Sequence, residues 1–133
     1  VEGTHMIATG LVLTGVAALI HVYIFTMESL TWTSPRTRAT FGTTPEAAEA
    51  TREMAFNQGF YNLFLAILVA IGTVLVAVGQ QGVGAALVLA GAGSMVAAGL
   101  VLLVSSPGKA RAALVQLTAP ALGVALLVVG LLV

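Results

Sequence analysis

Four long apolar runs constrain this chain more than anything else in it. They cover about residues 6–27, 56–78, 83–104 and 112–133. At 1.5 Å rise per residue, a helix of about 20 residues spans the roughly 30 Å hydrocarbon core of a bilayer. Each run therefore reads as a transmembrane helix. Composition agrees: 59% of the 133 residues are hydrophobic and only 8% are charged, against about 25% charged in a soluble domain. Too little polar surface is left to face water. The formal net charge is zero, which argues against a nucleic-acid role. The chain has no cysteine and no aspartate, so disulfide and thiol chemistry are excluded.

The opening Val1-Glu2-Gly3-Thr4-His5 has the look of a tag remnant, with Met6 as the native start. On that reading His21 is the only native histidine. Residues 28–55 form a polar loop and a helix start. Ser34-Pro35 is expected to end the first helix, because a residue before proline disfavours the α region. Thr44-Pro45-Glu46 reads as a new helix start: an N-cap, a proline at the first helical position, and an acid at the positive end of the dipole. This helix begins polar, with Glu46, Glu49, Arg52 and Glu53, and runs into the second span. Gly59 is a place where it can loosen. Gln80-Gln81-Gly82 is a turn. In the third span Ala86, Ala90, Ser94 and Ala98 recur every four positions, as do Gly93 and Ala97. Such stripes are expected to let helix backbones approach closely. Ser105–Lys109 breaks the chain again, and Pro120 is a candidate kink in the fourth span. The expected fold is an all-α integral membrane protein, an antiparallel bundle of four transmembrane helices.

Arg36, Arg38 and Arg52 lie in or beside the first connection, and Lys109 and Arg111 in the third. All five basic residues therefore fall at one end of the bundle. The positive-inside rule assigns that end to the cytoplasm and both termini to the outside of the cell inner membrane.

Nearly every residue able to do chemistry lies between His21 and Asn62. Thr14, His21 and Glu28 are seven apart and share one helical face, with His21 and Glu28 about 10 Å apart along the axis. Gln58, Tyr61 and Asn62 share a face of the second span, and Asn57 adjoins them. His21 and Glu28 are the catalytic candidates. Trp32, Arg36, Asn57, Gln58, Tyr61 and Asn62 are the ligand-binding candidates. Each has a plainer reading. His21 is equally a core histidine, Glu28–Arg36 a structural ion pair, Trp32 and Tyr61 interfacial aromatics, and the amides interhelical hydrogen bonds. Their confinement to one end, against a featureless other half, favours a site. One histidine with scattered methionines is a poor metal set, so no metal is expected. The residues specify no cofactor.

The pattern His21-x-Tyr23-Ile24, Glu28-x-x-x-Trp32-x-x-Pro35-Arg36, Phe41-Gly42 and Asn57-Gln58-Gly59-x-Tyr61-Asn62-x-Phe64-Leu65-Ala66 resembles domain-of-unknown-function family 1304. The third and fourth spans match it only in hydropathy. The plan is also similar, more loosely, to DoxX-like membrane proteins. The resemblance implies a four-span membrane protein with its signature at one end, and no settled activity.

Three functions fit. The first is an acid–base enzyme, of isomerase or cyclase type, or a binder of a lipophilic small molecule, with its pocket on the cytoplasmic side. The second is a small transporter or exporter subunit, which needs ionisable groups on the far side that the chain lacks. The third is a membrane accessory or scaffold module. The expected partners are membrane lipid, a lipophilic small molecule and further copies of the chain.

Overall fold

The structure is a computed structural model describing residues 1–133. Helix α1 spans Glu2–Phe25 and continues through one wider π turn, Thr26–Leu30. A short helix α2 covers Pro35–Phe41, and α3 runs from Pro45 to Ala77. Helix α4 spans Gln81–Ser105; a 3₁₀ turn at Pro107–Lys109 leads into α5, Ala110–Leu132. There are no strands.

The four long helices form a ring. Helix α1 packs on α3 and α5, and α4 packs on the same two helices from the opposite side. The core joins Ala17 of α1, Leu65 and Val69 of α3, and Ala92 and Met95 of α4, with Ala119 and Val124 of α5 packed against them. Glycines set the distances between helices. A Cβ on Gly10 would stand 2.8 Å from Leu127 N, and one on Gly72 would stand 2.6 Å from Gly84 O. Both lie far inside normal contact, so only glycine fits. Gly3 meets Gly130, and Gly123 meets Gly10 and Thr14, so α1 and α5 run antiparallel along one seam.

The outside is apolar. Leu19, Ile71, Val74, Leu100 and Val128 are all exposed. No more than 28% of any span's apolar window is buried inside the bundle. Most of each helix's greasy surface thus faces outward, as lipid contact requires and water would penalise. All four long helices are of membrane-spanning length.

Three expectations need correction. The α4 stripe does not pack within the bundle: Ala86, Ala90, Ala97 and Ala98 are exposed, and a Cβ on Gly93 would meet nothing within 4 Å. The close-packing face is instead Gly84, Val88, Gly91, Ala92, Met95 and Gly99. Small residues lie on both faces of α4, so spacing alone does not choose between them. Second, Ser34-Pro35 ends one helix and also starts another. The Ser34 hydroxyl accepts from the Thr37 N–H at 3.3 Å with Pro35 in the first turn. This is the same device as Thr44-Pro45, where Thr44 accepts from the Ala47 N–H at 3.2 Å. Third, α3 runs unbroken through Gly59. That glycine is a contact point between helices.

Candidate functional site

The polar end is built around the π turn. The Thr31 N–H donates to the Thr26 carbonyl at 3.1 Å, a five-residue step that widens the helix. The turn carries Ser29 against α3. The Ser29 hydroxyl donates to the Phe56 carbonyl at 2.8 Å, and the Ser29 N lies 2.9 Å from where a Gly59 Cβ would stand. Glu28, one residue earlier, meets the same helix one turn higher. Its Oε1 accepts from Asn62 Nδ2 at 2.6 Å.

Beyond the π turn the chain folds back along α3. The Thr31 and Thr37 hydroxyls bond at 2.8 Å. The Trp32 indole N–H donates to Thr51 Oγ1 at 3.1 Å, and Thr51 in turn donates to the Ala47 carbonyl at 2.7 Å. Phe41 of α2 packs edge-on against Trp32, centroids 4.9 Å apart. The indole is thus fixed through both its nitrogen and its ring.

Two open cavities lie here. The first, of about 510 Å³, is lined by Glu28, Ser29, Leu30, Trp32, Arg52, Glu53 and Phe56, among others. The second, of about 450 Å³, is lined by Glu28, Trp32, Phe41, Thr51, Gln58 and Lys109, among others. Glu28 and Trp32 belong to both and form the shared wall. No cluster of three histidine or acidic side chains suited to a metal ion is present.

The candidate residues separate into groups. Glu28 and Trp32 form the wall, Gln58 lines the second cavity, and Asn62 holds Glu28. Asn57 is exposed and donates to the Glu53 carbonyl of its own helix at 3.0 Å. Tyr61 is exposed and lines neither cavity. Arg36 is exposed on α2; Asn62, and not Arg36, engages Glu28. The chain's one ion pair, Arg52–Glu49 at 3.5 Å, is exposed and contributes little. His21 is buried, with Nδ1 2.8 Å from the Ala17 carbonyl. A carbonyl only accepts, so Nδ1 carries the hydrogen. His21 lines neither cavity. Ser29, Thr51, Phe56 and Lys109 also belong to this layer, although the sequence pattern does not single them out as site residues. Lys109 is the most readable of them from sequence, since its loop lies at the same end of the bundle.

Chemically, the layer offers one half-buried carboxylate held by an amide, a fixed indole, and a lysine ammonium across the second cavity. The Glu28 carboxylate keeps one oxygen for which the protein supplies no donor. Fold and site together define a multi-pass membrane bundle with one polar, aromatic end. The chain belongs to the family described as Protein of unknown function (DUF1304), whose model matches residues 15–128. That range takes in the polar layer and parts or all of the four long helices. No curated protein and no solved structure gives a significant match.

Proposed function

We propose that the protein binds a lipophilic small molecule at the Glu28–Trp32 wall, on the cytoplasmic side of the cell inner membrane, with both termini outside. The observation that carries this is the sharing of Glu28 and Trp32 by both cavities. A carboxylate with one uncommitted oxygen beside a fixed aromatic plane suits a ligand with a polar donor and an apolar body.

Where binding leads to chemistry, the reaction class is a proton shift of isomerase or cyclase type. Glu28 takes a proton from one position of the ligand and returns it to another, so a single carboxylate suffices. His21 lies outside the cavities and enters this scheme only as a packing group. The basic end faces the cytoplasm by the positive-inside rule. The outward small-residue face of α4 favours a second reading, in which copies of the chain associate through it.

Trp32 is the only tryptophan, so its fluorescence reports on the wall directly. Titrating the purified protein with fractionated membrane extract is expected to shift or quench that emission saturably, and Glu28→Gln is expected to abolish the response. Emission that changes equally in both proteins, or in neither, overturns the reading. The chain has no cysteine, so single cysteines at Gln80 and Ser106 test orientation. An impermeant maleimide added to intact cells should label the first and spare the second.

A further inference from the structure

We infer that the ligand of the first cavity is a single-chain amphiphile with a hydrogen-bond-donating head, and that it enters sideways from the bilayer along a ladder of phenylalanines. This rests on the binding reading above and adds the ligand class and the route. Phe56 lines the cavity and is also the lowest rung of the ladder. Its ring lies 5.0 Å from Phe60, and Phe60 lies 6.2 Å from Phe64. Phe25 of α1 closes edge-on over Phe60 at 5.0 Å. Phe56, Phe60 and Phe64 are four residues apart and so share one face of α3. They climb about 12 Å from the cavity mouth into the hydrocarbon. Phe56 and Phe64 are 48% and 56% exposed, so the ladder presents an open aromatic strip to the membrane.

The position of this strip is specific. All five phenylalanines of the chain lie in the ladder or against Trp32. Farther along α3 the exposed large residues turn aliphatic, at Ile67, Ile71 and Val74. Helices α4 and α5 carry no aromatic residue at all. An interfacial belt places Trp and Tyr at headgroup level at both membrane surfaces. Tyr23 and Tyr61 are exposed at this end, as belt residues are; the phenylalanines extend from it along one face of α3 and run back to a cavity.

The head chemistry follows from the wall. Asn62 occupies one oxygen of Glu28, and no protein donor meets the other. Glu53 lines the same cavity without an ion pair, and Arg52, whose exposed pairing with Glu49 leaves most of its N–H donors free, lines it too. The lining thus sets two acidic side chains, Glu28 and Glu53, against one guanidinium, an excess that suits an ammonium or hydroxyl head and disfavours a carboxylate.

The test uses hexadecylamine carrying a diazirine near its tail, photolysed with the full-length protein in nanodiscs and mapped by mass spectrometry. The same chain with a carboxylate head is the comparator. Saturable labelling is expected at Phe60, Phe64 and Phe25, competed by unlabelled hexadecylamine and absent with the carboxylate probe. Labelling at fixed probe concentration should fall about tenfold in Glu28→Gln, which loses a charged acceptor. In Phe64→Ala it should fall about fivefold, and Phe64→Tyr should restore it. Labelling spread evenly over α4 and α5 and not competed overturns the inference. So does saturable quenching of Trp32 by short-chain hexylamine with no competed tail label on the ladder, an outcome that leaves the binding reading standing. Neither quenching nor competed label would overturn both.

Discussion

The two ends of this bundle are held together by different means. At the end away from the basic residues, glycine meets glycine: Gly3 with Gly130, Gly10 with Gly123, Gly72 with Gly84. Backbones touch, and little space remains between the paired helices. At the basic end, side chains bridge the gap: Ser29 to the Phe56 carbonyl, Glu28 to Asn62, Trp32 to Thr51. Gly59 also lets the π turn pack closely on α3 here, and the two cavities lie beside that contact, around Glu28 and Trp32. One end relies on glycine contacts; the other adds side-chain hydrogen bonds that border open space.

Substitutions can break that contrast. The largest effect is expected at the tight end. A Cβ on Gly84 would stand 2.6 Å from both Gly72 O and Val76 N, where only a helix shift gives relief. Gly84→Ala should therefore destabilise by about 1–3 kcal/mol, read as a lower melting temperature in detergent, with ligand response retained below the transition. Gly93→Ala is its control. With nothing within 4 Å, it should change stability by at most about 1 kcal/mol, in the favourable direction.

Gly59→Ala comes next and sharpens the comparison. Its new methyl would collide with the Ser29 hydroxyl and backbone, pushing the π turn off α3. A loss of about 1–2 kcal/mol is expected, this time together with the ligand response, because Glu28 rides on the same turn. A melting shift without loss of response would separate the turn from the site. Thr51→Val removes the acceptor of the Trp32 indole. It should cost about 1 kcal/mol and alter Trp32 emission while the bundle stays folded. Arg36→Ala is expected to have the smallest effect, within about 0.5 kcal/mol and without change in ligand response. Arg36 is exposed and engages no acid. A large effect there would restore the Glu28–Arg36 pairing that spacing suggested.

Much of this architecture could be read from hydropathy alone. Four apolar runs led to four long helices, and Thr44-Pro45 marked the start of α3 to the residue. The polar layer was visible as a concentration of unusual residues between His21 and Asn62. What escaped depended on geometry that spacing does not encode. A spacing of seven from His21 to Glu28 implies one face and one site only in a regular α-helix. The π turn at Thr26–Leu30 changes the helix's rotation there, and the cavities stop short of the histidine. The Asn62 contact to Glu28 spans 34 positions, so no local pattern could choose it over Arg36. Ser34-Pro35 carries the same N-cap and first-turn proline as Thr44-Pro45, so one dipeptide encodes both the stop of α1 and the start of α2. On α4, glycine and alanine occur all around the helix. The inward face emerges only once Gly72 and Leu65 of α3 are placed against Gly84 and Gly91.

The central claim is that the basic end holds a ligand through Glu28. Native mass spectrometry of the purified protein tests it most directly, with extraction of co-purified small molecules from wild type and Glu28→Gln side by side. The account predicts a stoichiometric mass adduct on the wild type, missing from a Glu28→Gln protein of unchanged melting temperature. An adduct retained in full by Glu28→Gln, or none on either protein even after incubation with membrane extract, would contradict it.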